Sequence, residues 1–297
     1  MKLLRRISLV VPLAVAAACE RAKSPPATDS AMIKPAGSTD SAAAARASTW
    51  NSNAGPVLLV AGQEPSQAFV VAPDAATADA TLSAIPHPAD VTLFSRSGTV
   101  QTAELPDSPS PGPCPTTTLS AAPPPRAWNV GFIGGVVSPL AIDSIESIPP
   151  TDSAALVVWM NRLASALPND SAGRFAGLPF VVRSLWRLKL PGGTPMVVAG
   201  VTRQLNQEAT PLQEYTFLIA EQSASDSSYS TKYSERIYGA EETIQNTDVL
   251  SGALLGSSRT PTLIVVRDFG DATAYALIER TGDGRWRARW TSNRRHC

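Results

Sequence analysis

Short apolar or alternating runs, each cut off by Gly, Pro, Asp or Ser, recur at 57–60, 68–71, 91–94, 128–133, 196–198, 215–220, 263–266, 275–278 and 285–290. Runs of this length suit strands and are too short for helices, and their boundaries are turn-formers. They predict a mainly β fold, an antiparallel meander. One helix interrupts it: Leu156, Trp159, Met160, Leu163 and Leu167 fall at helical spacing, with Thr151, Asp152 or Ser153 as the cap and Pro168-Asn169-Asp170 as the stop. A second, shorter helix is expected over 240–246.

Residues 20–49 cannot join this fold. They are mostly Ala, Ser, Pro, Thr and Asp, with only Met32 and Ile33 as larger aliphatic residues, too little apolar surface to offset the entropy of ordering. As a flexible coil they span ~30 Å and read as a tether. Residues 50–297 then form a single β-rich globular domain. Its proline-rich stretch at 106–125 reads as a long loop.

What precedes the tether gives an address. Lys2, Arg5 and Arg6 are followed by an apolar stretch and by Ala16-Ala17-Ala18-Cys19, the layout of a secretory signal peptide over 1–18. The stretch falls short of the roughly 20 apolar residues that span a bilayer. The run resembles a bacterial lipoprotein signal, with Ala16 where that family most often has Leu. The resemblance implies that Cys19 is lipidated, as by palmitate, and becomes the first mature residue. The alternative is an ordinary secretory signal that contains a cysteine. Two or more acyl chains anchor stably, at ~0.8 kcal/mol per buried methylene. Glu20 follows the cysteine where the family's inner-membrane retention rule uses Asp, which points to the outer membrane, on its periplasmic face or at the cell surface.

Three further segments look alike: 93–98, 218–223 and 277–282, each an apolar strand turning through polar residues. Upstream of the last two, Thr194-Pro195 and Thr260-Pro261 stand 66 residues apart. Residues 184–290 resemble degenerate blades of FG-GAP or integrin-like β-propellers, whose last strand carries a tryptophan as Trp286 and Trp290 would. Where that family ligates calcium, this chain has Lys189, Gly192 and Gly193 in one copy and Leu255, Ser257 and Ser258 in the other. Calcium needs six to eight oxygen ligands, so neither metal nor cofactor is expected.

The chain also lacks the parts of common catalytic sites. Its histidines are His87, between two prolines, and His296, the penultimate residue, too few for three-histidine zinc sites. No Gly-x-Ser-x-Gly elbow occurs. Asp268-Phe269-Gly270 copies a kinase motif without its companion loops and reads as a turn. Asp268 with Asp271, or Glu241 with Glu242, could serve as paired carboxylates; solvated turns are the commoner setting.

Cys114 and Cys297 remain once Cys19 is spent, and an exported chain with two cysteines predicts a disulfide, free thiols being the alternative. With Lys2, Arg5 and Arg6 removed, 22 basic residues face 25 acidic ones, a net charge of −3 that predicts no nucleic-acid partner. At strand period Arg285, Arg287 and Arg289 share one face while Trp286, Ala288 and Trp290 share the other. With Arg294 and Arg295 they are the candidates for contact with an anionic surface. The expectation is an envelope lipoprotein that serves as a non-catalytic binding or accessory module, partnered by the membrane through its anchor and by an envelope protein or glycan. The alternatives are an envelope hydrolase working through carboxylates and a structural component of an envelope assembly.

Overall fold

The structure, a computed structural model, describes residues 58–71, 85, 87–110, 114–133, 137–168, 173–205 and 211–296. The signal peptide, Cys19, the tether and Cys297 lie outside them. Within them the chain is mainly β, in antiparallel sheets with one α-helix. No described helix is long and apolar enough to cross a membrane.

The first six strands make one sheet: β1 (Leu58–Ala61), β2 (Gln67–Val71), β3 (Ala89–Phe94), β4 (Val100–Leu105), β5 (Thr116–Thr118) and β6 (Val130–Ile133), in the order β4-β3-β6-β1-β2-β5. Here β6 runs between the β1–β2 and β3–β4 hairpins, which requires close approach at Gly131. A Cβ there would stand 2.7 Å from Leu93 Cδ2. The proline-rich stretch is more ordered than expected, since β5 lies within it and pairs with β2.

One segment then serves two sheets. β7 (Val137–Leu140) pairs with β13 (Asn246–Leu255) and, one residue later, β8 (Ile142–Ser144) pairs with β9 (Val181–Lys189). The helix α1 (Pro150–Ala166) follows, starting before the expected cap: Pro149 is the N-cap residue, without a side-chain hydrogen bond, and Pro150 is already helical. Proline suits the first helical position because its φ is preset and its missing N–H is one the helix does not use there. The rest is two four-stranded meanders. β9 (Val181–Lys189), β10 (Pro195–Leu205), β11 (Leu212–Gln222) and β12 (Tyr229–Ala240) form one; β13 (Asn246–Leu255), β14 (Thr260–Asp268), β15 (Thr273–Arg280) and β16 (Trp286–Thr291) form the other. Each Thr-Pro pair opens the second strand of its meander. The predicted helix at 240–246 is instead the β12–β13 turn, closed by a Thr243 N–H bond to the Ala240 carbonyl. So short a segment gains too few hydrogen bonds to offset helix nucleation, and Ile244 is buried by pointing into the core.

The sheets stack. Met196, Val198, Phe217 and Ile219 of the β10 sheet meet Val249, Leu263, Val265 and Ile278 of the β14 sheet. The other face of the β14 sheet, with Ile264, Leu277 and Trp290, meets Leu58, Phe94 and Phe132 of the β1 sheet. α1 covers the remaining face of the β10 sheet through Leu156, Met160 and Ala164. Both meanders are thus covered on two faces, which is why β10 and β11 are buried almost without a break and show no clean alternation.

Four single-residue bulges set which side chains face which layer. The extra residue is Arg183 in β9, Lys232 in β12, Leu250 in β13 and Arg289 in β16. One added residue moves everything beyond it to the opposite face. The expected common face of Trp286 and Trp290 is therefore corrected: Trp286 packs between the β10 and β14 sheets and Trp290 between the β14 and β1 sheets. A basic residue at a bulge is also a device that blunts a strand edge against further pairing, and three of the four have one.

Candidate binding surface

Two buried carboxylates, Glu214 and Glu221, and the half-exposed Asp248 tie the layers together. Glu214, fully buried, accepts two bonds from Arg203, Nε to Oε1 and Nη2 to Oε2, both at 3.0 Å, and Arg236 Nε lies 3.5 Å from its Oε1. Arg203 also donates to the Phe175 carbonyl, and Arg236 to the carbonyls of Ala164 and Pro168. This cluster fastens the end of α1 and the following loop to the β10 sheet. Glu221 accepts from Arg280 Nε and Trp286 Nε1, each at 2.7 Å, and so joins the two meanders. The Glu221 hydrogen bond holds the Arg280 guanidinium above its ordinary pKa.

Asp248 knots all three sheets. Its Oδ2 pairs with Arg96 Nη2 at 3.0 Å, its Oδ1 accepts from Trp186 Nε1 at 3.2 Å, and the Arg96 guanidinium lies 4.4 Å above the Trp186 ring. Nearby, the Tyr215 hydroxyl donates to the Thr247 carbonyl at 2.5 Å, and burial pushes that phenol above the ordinary range, so it stays a donor. Gly200 leaves room for this bond: a Cβ there would stand 2.7 Å from Tyr215 Oη and 2.8 Å from Ser184 Oγ. Gly200→Ala should therefore destabilise the fold by about 1–3 kcal/mol, from overpacking and a displaced hydrogen bond. Urea titration checks this; an unchanged midpoint would contradict it.

The exposed feature that stands out is β9. β8 lies against Trp186, Arg187 and Leu188 alone, so among the described residues Val181 to Leu185 have a strand neighbour only on the β10 side. Beside this open half runs a groove of about 320 Å³ lined by Ile145, Val157, Asn161, Phe180, Val182 and Leu185. Val181, at 51 %, and Val158 of α1, at 58 %, are among the most exposed large apolar residues described. On the other side opens a cleft of about 430 Å³ with Ser184, Tyr215, Thr247, Asp248, Val266 and Asp268 in its walls. Arg183 and Ser184 line both.

The residues singled out from sequence are dispersed. Asp268 alone of its group lines the cleft. Asp271, Glu241 and Glu242 sit on exposed turns, Glu241 accepting a bond from Gln204. Asp268-Phe269-Gly270 is the β14–β15 turn, with Gly270 at φ 84° and its N–H bonded to Asp268. His87 is exposed just before β3, and the His296 ring lies 2.9 Å from the Asp271 carbonyl. No three described His, Cys, Asp or Glu are grouped to hold a metal.

The arginines are likewise spread. Arg285, 82 % exposed along its side chain, faces Asp283; Arg287 is exposed; Arg289 stands 3.9 Å from Glu279. Arg294 stacks over Phe269 at 3.7 Å, and Arg295, its pKa lowered by burial, donates to the Val70 carbonyl of the β1 sheet. Cys114 lies close by, its sulfur 3.7 Å from the His296 carbonyl.

The open half of β9 escaped the sequence reading. A strand of alternating exposed and half-buried residues gives little apolar signal, and which part of its edge is covered depends on where β8 stops. Comparison with family models, with curated proteins and with solved structures finds no match.

Proposed function

We propose that the protein is a bacterial envelope lipoprotein, held through Cys19 and its tether, that acts as a non-catalytic binding module. The observation that carries this reading is the half of β9 that has, among the described residues, no strand neighbour on its outer side, together with its apolar groove: such an edge with the exposed Val181 on it is a surface suited to a protein partner. The burial of Glu214 and Glu221 in ion pairs between elements agrees with carboxylates used for architecture. Basic bulges on β9, β12 and β16 suit a monomer whose edges resist unlimited pairing.

The anchor has a direct test. Cys19→Ala should move the protein from the membrane pellet to the soluble fraction, since the acyl chains would be lost; continued sedimentation with membranes would contradict the anchor. The Cys114–Cys297 disulfide belongs to the same proposal, supported by the closeness of Cys114 to His296. Non-reducing peptide mapping should recover the two joined, and two alkylatable thiols would refute it. For the binding surface, a photoreactive residue at position 181 should form adducts with an envelope protein in intact cells.

A further inference from the structure

Beyond the protein-binding reading, we infer that a cleft in the first sheet takes a neutral saccharide of one or two rings. It shares no lining residue with the groove or the cleft beside β9, so the two readings stand or fall separately.

The cleft exists because the first sheet curls until its edge strands meet and then leaves the seam partly open. Glu104 of β4 and Ser120, just past β5, exchange two main-chain hydrogen bonds at 2.7 and 2.9 Å, and the Ser110 N–H donates to the Thr116 carbonyl at 2.8 Å. Between these closures β5 shows one face of its backbone to the seam. The Pro115 carbonyl and the Leu119 N–H bond toward β2, so by strand alternation Thr118 turns its N–H and C=O the other way. Neither has a strand partner there among the described residues. From residue 116 to residue 120 the opening measures about 13 Å at strand rise. That is too short for an added strand and long enough for a small ring or two.

The walls select the chemistry. The cleft has a volume of about 530 Å³, and its apolar lining is Pro106 and Leu119 alone; the rest is six serine and threonine hydroxyls, the Gln67 amide and the Asp107 carboxylate. No Lys, Arg or His lines it, so an anion finds no counter-charge, and an apolar ligand would strip these polar groups of water without replacing their hydrogen bonds. A hard metal ion calls for more oxygen ligands than one carboxylate anchors. Asp107 has no ion pair or hydrogen bond among the described residues, so both its oxygens can accept. A saccharide answers each feature: its hydroxyls donate and accept as the walls do, two adjacent ones suit the two oxygens of a single carboxylate, and a ring C–H face suits Pro106.

The test uses the full mature chain, in a detergent without a sugar headgroup, on an array of neutral oligosaccharides and their uronic acid or sulfated counterparts. At least one neutral glycan should bind, and its acidic counterpart should bind about tenfold more weakly, because Asp107 repels the added anion. Asp107→Asn should weaken neutral binding about fivefold, since its hydrogen bonds are no longer charge-assisted, and should narrow the gap between the neutral glycan and its acidic counterpart. Ser108→Ala should weaken neutral binding and leave that gap in place. Asp107 and Ser108 are exposed, so circular dichroism should show unchanged folding. No bound neutral glycan, equal binding of the acidic counterpart, or binding indifferent to Asp107→Asn would overturn the inference. Any of these leaves the β9 surface, tested at position 181, untouched.

Discussion

Replacing Glu214 by Ala should lower folding stability by about 3–5 kcal/mol, because it leaves Arg203 and Arg236 buried without their shared counter-charge. Arg203 is held between Phe180 and Phe175, at 4.7 and 5.6 Å, and cannot swing into water without dismantling the loop that packs over it. Replacing all three charged residues by apolar ones of similar volume should recover most of the loss, since such a swap removes the desolvation cost together with the attraction. Chemical denaturation of the single and triple variants measures both. A loss below about 1 kcal/mol for Glu214→Ala would mean that the cluster is open to solvent and does not fasten the helix end.

Deleting Arg289 should cost as much, at least about 3 kcal/mol, whereas Arg289→Ala should cost less than about 1 kcal/mol. Arg289 is the extra residue of β16: Ile278 faces Ala288 and Leu277 faces Trp290 across it. Its ion pair with Glu279 is long, at 3.9 Å, and such a partly exposed pair contributes little. Its presence in the chain is what matters. Without it the strand phase runs through, and Trp290 would leave the layer against the β1 sheet or Trp286 the layer against the β10 sheet. Losing a buried tryptophan from its site costs about 3–5 kcal/mol. Equal effects of deletion and substitution in thermal unfolding would show that the bulge does not set the faces.

That bulge marks the boundary of what the sequence makes legible. The apolar runs locate β1, β2, β3, β6, β10, β11, β14, β15 and β16, and the helical spacing locates α1, because each buries enough aliphatic surface to leave a signal in composition alone. The runs leave out β4, β5, β7, β8 and β12, which are edge strands, β9, which is half-exposed, and the inner strand β13, whose Asp248, Ser251 and Gly252 break up its apolar residues. In β12 the succession Tyr229, Thr231, Tyr233 and Ile237 is a strand signal diluted by Lys232, Glu235 and Arg236, whose charges are spent on ion pairs and an edge bulge. Period-two reasoning also assumes constant phase, so it could place both tryptophans of β16 on a strand but not on opposite faces. The candidate surface was less legible still, since it arises where β8 ends against β9, a register that no local pattern encodes.

The measurement closest to the central claim is site-specific photo-cross-linking in intact cells at two exposed valines. Position 181 lies on the open half of β9, and position 100, 48 % exposed, starts β4 at the edge of the β1 sheet. A binding module that works through β9 predicts a discrete adduct from position 181 that is lost with Val157→Lys in the groove wall, and none from position 100. Equal adducts from both positions, or none from position 181, would contradict it.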